Sequence, residues 1–229
     1  MLSLRFTRFA APLLALGLSV GAVAASSATL TASAAPADQS ASTELPAGIA
    51  ARMSLHSAMD KLWEDHITWT RLYIVDALAD SPELPQTTQR LLQNQVDIGN
   101  AIKPFYGDAA GDQLTSLLNS HILIAADVVG AAKKGDTAAL NDGMARWQAN
   151  ANDIADFLAA ANPDNWSQDD MRAMMRQHLD LTTQEAVAHL QKDWAGDVAA
   201  YDKVHEHILM LSEGLTQGII NQFPDQFSA

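Results

Sequence analysis

The sequence predicts an all-α fold, an up-and-down bundle of six helices arranged as three αα-hairpin repeats. Three observations predict it. Apolar residues recur at alternating spacings of four and three, the signature of one helical face. Proline, glycine and Asn-Pro breakers cut the chain into six such segments, and none of them alternates with period two. A histidine also recurs at near-equal intervals on the stripe that should be apolar: His66, His121 and His178 lie 55 and 57 residues apart.

The first helix is expected over 48–79, with the stripe Leu55, Met59, Leu62, His66, Trp69 and Tyr73. Ser81-Pro82 through Pro85 makes the first turn. The second helix, 84–103, stops where Pro104 to Gly107 removes a backbone donor and relaxes the chain. The third, 109–133, takes Asp108 as N-cap and ends at Gly135. The fourth, 137–161, takes Asp136 as N-cap, carries Leu140, Met144, Trp147, Ala151, Ile154 and Leu158, and ends at Asn162-Pro163. The fifth, 167–193, starts at Ser167. These caps are expected because a short oxygen-bearing side chain can accept from the orphan N–H groups of a first turn. The sixth, 196–222, carries Val198, Tyr201, His205, Ile208, Ser212, Leu215 and Ile219.

The repeat rests on matched strings. His66 opens HITWTRLYIVDAL, His121 opens HILIAADVVGAAK and His178 opens HLDLTTQEAVAHL. The following helices carry Asn94-x-x-Asp97-Ile98, Asn150-x-x-Asp153-Ile154 and Asp202-x-x-His205, and each pair closes with a proline, Pro104, Pro163 or Pro224. In an antiparallel hairpin, equal distances from the turn bring two residues level. His66 is thereby expected to face Asp97, His121 to face Asp153 and His178 to face His205, all in one polar layer of the core.

An ionisable group on a core stripe is costly unless it is paired, hydrogen-bonded or metal-bound. His66, His121, His178 and His205 are candidate nitrogen ligands. Asp97, Asp153 and Glu185 are candidate oxygen ligands or orienters, with Glu185 a double turn beyond His178. Imidazoles with carboxylates suit a divalent transition metal such as Zn, Fe, Mn or Cu. The same residues also serve without an ion, as three hydrogen-bonded pairs that fix helix register. The tryptophans read as core or helix-end packing, Asn94 and Asn150 as core hydrogen-bond formers, and Arg71 as the partner of a buried carboxylate such as Asp97 or Asp127. His207 cannot share a helical face with His205 and is expected to be exposed.

Outside the bundle, residues 1–24 read as a signal peptide: Arg5 and Arg8, an apolar run from Ala10 to Ala22, then Ala22-Val23-Ala24 as a cleavage pattern. Ala32-Ser33-Ala34 offers a second cleavage pattern. Residues 25–46 form an Ala/Ser-rich leader, and 47–229 the bundle. The expected location is extracytoplasmic or secreted, with no transmembrane segment in the mature chain. The formal charge is −13, and loss of two leader arginines makes the mature chain more negative still. That disfavours nucleic acid and anionic membranes as partners. With no cysteine, the chain is not a thiol enzyme and carries no thiolate zinc site. It has no G-x-S-x-G and no Gly-rich phosphate loop.

The strings LWEDHITWTRLYIVDAL, RLLQNQVDIGNAI and HLDLTTQEAVAHLQKDW, with the closing GIINQFP, resemble a group of short helical bacterial proteins, some labelled acetylglutamate kinase. The resemblance spans about residues 52–224. It implies the same helical fold and carries over no catalytic residue. Three functions fit the sequence: a non-enzymatic exported bundle binding a metal ion or small ligand at its polar layer, a structural or partner-binding envelope protein whose His–Asp pairs only set register, and a metal-dependent hydrolase or oxidase.

Overall fold

A computed structural model of the chain describes residues 45–228. The expected signal peptide and all but the last two residues of the leader lie outside them. The described chain is all-helical: α1 (Ala47–Ala79), α2 (Leu84–Tyr106), α3 (Asp108–Lys134), α4 (Thr137–Ala161), α5 (Gln168–Leu190), α6 (Trp194–Gln222), then a short 3-10 turn, Pro224–Phe227.

Local chemistry accounts for most of the ends. Asp136, Ser167 and Asp193 each accept from a first-turn backbone N–H, of Ala139, Asp170 and Gly196. Asp108 is not a cap: it is the first residue of α3 and places its charge in the turn where the helix dipole favours an anion. α3 ends on Gly135 in the left-handed region (φ 67°), with Lys133 and Lys134 in its last turn. Pro104 does not stop α2, which runs on to Tyr106. The carbonyl it leaves without an amide donor belongs to Asn100, an exposed residue, where water can serve it.

Each helix packs on its neighbours in sequence, and α1 also packs on α6, so the six form a closed antiparallel ring. α2 and α3 approach closely at Gly99 and Gly111. A Cβ on Gly99 would collide with Thr115 and with the Gly111 carbonyl. α3 is long and apolar enough to cross a bilayer; here it packs between α2 and α4 with Leu114, Leu118, Ile122 and Val128 buried.

The interior is uneven along the ring axis. Around the N-terminal halves of α1, α3 and α5, it is filled by Met59, Trp63, Leu114, Ile154, Leu211 and Ile219, among others. At roughly 25 cal/mol per Å² of apolar area, such burial is the main stabilising term of the fold. Around the C-terminal halves of the same three helices the ring is hollow. A layer of histidines lies between the two.

Candidate functional site

Four imidazoles from four helices make that layer: His66 (α1), His121 (α3), His178 (α5) and His207 (α6), each at most 5 % exposed. The His178 ring is central, with centroids 5.6 Å from His66, 6.2 Å from His121 and 6.1 Å from His207. All four are held as neutral bases. Burial lowers the His66 pKa to about 3, reinforced by His121 and opposed by hydrogen bonds to Asn94 and Gln95. Burial takes His121 to about 4 against its bond to Asn150. Burial, then repulsion from the three other rings, puts His178 well below the ordinary value. Burial also lowers His207, against its bond to Met174. A second charge in this space would meet no counter-ion.

Tautomers follow from the partners. An indole N–H can only donate, so Nε2 of His121 accepts from Trp147 at 3.1 Å. Its Nδ1–H therefore donates to the Asn150 side-chain oxygen at 2.8 Å. In His66, Nδ1 accepts from the Gln95 amide at 3.3 Å. In His207, Nε2–H donates to the Met174 carbonyl at 3.1 Å. Nδ1 of His178 and Nδ1 of His207 are buried with no protein partner.

One hydrogen bond occurs three times. The Asn94 amide donates to the Leu62 carbonyl, the Asn150 amide to the Leu117 carbonyl, and the His207 ring to the Met174 carbonyl. Each acceptor lies four residues before the layer histidine of its own helix.

The expected partners are therefore corrected. Asp97 does not face His66: it is half-buried and accepts from the Gln93 amide, with Arg90 3.8 Å away. Asp153 is exposed. His205 lies at the surface, its Nε2–H donating to Glu64 at 2.9 Å. The inward residues are Asn94, Asn150 and His207 instead. Three residues along a helix turn the side chain by about 300°, so Asp97 and Asp153 sit on the flank of the face that Asn94 and Asn150 centre. A neutral amide also costs far less to bury than a carboxylate without a cation. His207, expected outside, is buried because α6 presents Ala200, Val204, His207 and Leu211 inward, one position before the expected Tyr201, His205, Ile208 and Ser212, while Ile208, Ser212, Leu215 and Ile219 are buried as expected. His66, His121 and His178 do come together. Among the described residues no three His, Asp or Glu side chains are arranged to hold a metal ion.

Glu185 is buried as a separate cluster on the hollow half. Arg71 from α1 donates to Glu185 at 2.7 Å and to both oxygens of Asp197 at 2.8 and 3.0 Å. His189 donates to Asp197 at 2.9 Å, and the Arg71 guanidinium lies 4.8 Å from the Tyr201 ring centre. Burial raises the Glu185 pKa to about 7, opposed by Arg71 and assisted by Asp197. Burial also acts to raise Asp197, but Arg71 and His189 outweigh it, and its pKa is lowered. Arg71 thus has the expected kind of partner but not the expected residues. Asp197 carried no sequence signal beyond its place in the first turn of α6.

The hollow half holds a cavity of about 230 Å³ lined from α1, α2, α3, α4 and α5. Leu91, Ile122 and Trp147 line it on the side of the histidine layer, and Val128, Ala186 and Leu190 further out. No charged residue or histidine lines it. Val187 and Leu190 line it while remaining 41 % and 37 % exposed, which places its mouth at the C-terminal end of α5. Every hydrogen bond between side chains of α4 and α5 lies at the other end of that seam, from Gln168 and Arg172 to Asp156. The filled half holds a smaller space of about 30 Å³, walled in part by Trp63, His66 and Leu118.

The chain matches no protein-family model, no curated protein and no solved structure.

Proposed function

We propose that this chain is an exported, non-enzymatic helical bundle that binds a small apolar molecule in its hollow half. The cavity carries the reading. Buried apolar surface is the main driving force for closing up a fold, and a space of about 230 Å³ with a largely apolar wall leaves that wall without packing partners on one side. A cavity of about 150 Å³ with aliphatic walls already takes up benzene. The N-terminal pattern supports export. The histidine layer is then a partition between the two halves, with both nitrogens of His121 engaged by Asn150 and Trp147 and with Nδ1 of His178 and of His207 unpaired.

The thrice-repeated hydrogen bond supports reading the ring as three αα-hairpins, with Asn94, Asn150 and His207 in equivalent places. It also moves the third pairing from His205 to His207.

The test is a melting curve of the mature protein with and without benzene or propylbenzene, beside the same curves for Ala186→Leu. A ligand that binds only the folded state raises the melting temperature. Wild type is expected to shift upward. The variant, its cavity partly filled, is expected to melt higher unliganded and to respond less. A folded wild type that shifts with neither probe, or that shifts only with Zn²⁺ or Cu²⁺, overturns the reading.

A further inference from the structure

On the reading that the cavity binds a small apolar molecule, that molecule needs a way in, and the helices around the hollow half are not tied to one another alike. Thr87 of α2 donates to Asp76 of α1, Lys133 at the end of α3 donates to the Ala77 carbonyl of α1, and Arg146 of α4 donates to Asp127 of α3. Arg71 and His189 join α5 to α1 and α6 through Glu185 and Asp197. Between α4 and α5, among the described residues, no side-chain hydrogen bond lies in this half. That seam is tied at its filled end, by Gln168 and Arg172 to Asp156. Both banks of its untied end are cavity wall: Leu140 and Asn141 of α4, Ala186, Val187 and Leu190 of α5. Asn141, Val187 and Leu190 are also exposed. The C-terminal half of α5 thus has one face on the cavity and another, Glu185 and His189, on the ion cluster. From His178 to Leu190 it is a helical arm of about 18 Å, with no glycine or proline to absorb a bend.

We propose that the C-terminal half of α5 is the gate of the cavity, and that the Arg71 cluster is its latch. The arm swings outward from the ring to admit and release a guest. On one side it parts from α4, where apolar contacts and no polar tie resist it. On the other it draws Glu185 and His189 away from Arg71 and Asp197, which is costly because a buried carboxylate loses its cation. Arg71 is a positioning residue: it touches no guest and sets how often the gate opens.

The test follows propylbenzene exchange by stopped-flow fluorescence on the mature wild type and on Arg71→Met, His189→Ala and Arg146→Met. Weakening a latch makes the open state more frequent while the closed state still dominates, so association and dissociation quicken together and affinity holds. Arg71→Met is expected to raise both rate constants about 10-fold or more. His189→Ala, which deletes one bond of the cluster, should raise them about 3-fold. In each, the dissociation constant should stay within about 2-fold of wild type. Arg146→Met cuts the α3–α4 tie instead and should leave both rates within about 2-fold. Where Arg71→Met fails to fold, His189→Ala decides by the same outcomes. If wild type binds propylbenzene and neither cluster variant changes the rates, the gate is overturned and the cavity reading stands. Equal quickening by Arg146→Met also overturns it, as does a weaker dissociation constant with unchanged association, which marks a damaged cavity wall. If wild type binds no propylbenzene, the cavity reading itself fails.

Discussion

The two halves of this ring are built from the same helices and stabilised in opposite ways. The filled half is held by aliphatic and aromatic side chains packed around a space of about 30 Å³. The hollow half encloses about 230 Å³ and carries on its α1–α5–α6 side an ion cluster, Arg71 with Glu185, Asp197 and His189. A buried ion pair adds little net stability but is costly to break. The hollow half thus gains a defined geometry without gaining a filled core. That is the arrangement the proposed ligand chamber would need.

The sharpest way to break the contrast is Arg71→Met. It leaves Glu185 buried without its cation and Asp197 with His189 alone, and a loss of about 3–5 kcal/mol is expected by chemical denaturation. Hydrogen exchange should rise first at the start of α6 and the end of α5. A loss under about 1 kcal/mol would mean that the cluster does not hold the chamber's shape.

Ile154 and Ile122 compare the halves with one chemistry. Both are buried, at 1 % and 4 % exposure, but Ile154 belongs to the filled core and Ile122 lines the chamber. Ile154→Ala should cost about 4 kcal/mol and Ile122→Ala about 2 kcal/mol, because Ile122 already lacks packing partners on one side. Equal losses would show that the chamber packs as tightly as the core.

The smallest of these effects is a slope against pH. The layer histidines have folded pKa values below the unfolded value near 6.5, so the unfolded chain binds their protons more readily. Their stabilisation is present above pH 6.5 and is lost as pH falls toward about 4 for His121 and about 3 for His66. Glu185 acts in the opposite sense. Its contribution is full below its unfolded carboxylate value and is lost as pH rises through about 7. Unfolding free energy measured from pH 4 to 7 should therefore rise steeply, and His178→Leu should lower that slope by up to about 1.4 kcal/mol per pH unit. An unchanged slope would mean that His178 is not held neutral.

Much of this was legible from residue types. Six helices follow from breakers and periodicity, and the caps at Asp136 and Ser167 from their side chains. His66, His121 and His178 were legible as inward because each sits among apolar residues at helical spacing. Their partners were harder. Asn94 and Asp97 are both polar and three residues apart, and only the exact rotation of α2 decides which faces in. On α6, Val198, Tyr201 and His205 offered a plausible stripe one residue away from the true one. Asp197 and Glu185 sit next to apolar neighbours with nothing to mark that one arginine joins them. The chamber left no trace in the sequence, because a void is a sum over many facing side chains and no single residue encodes it.

Trp147 belongs to both the partition and the chamber. Its N–H is committed to His121, and its ring is part of the chamber wall. An indole so placed cannot relax freely around an excited-state dipole, and its surroundings change when a guest replaces empty space. The chain therefore carries its own fluorophore at the wall. Of the five tryptophans Trp147 is the one that lines the chamber, so a guest of the kind proposed should alter its share of the emission with no label needed.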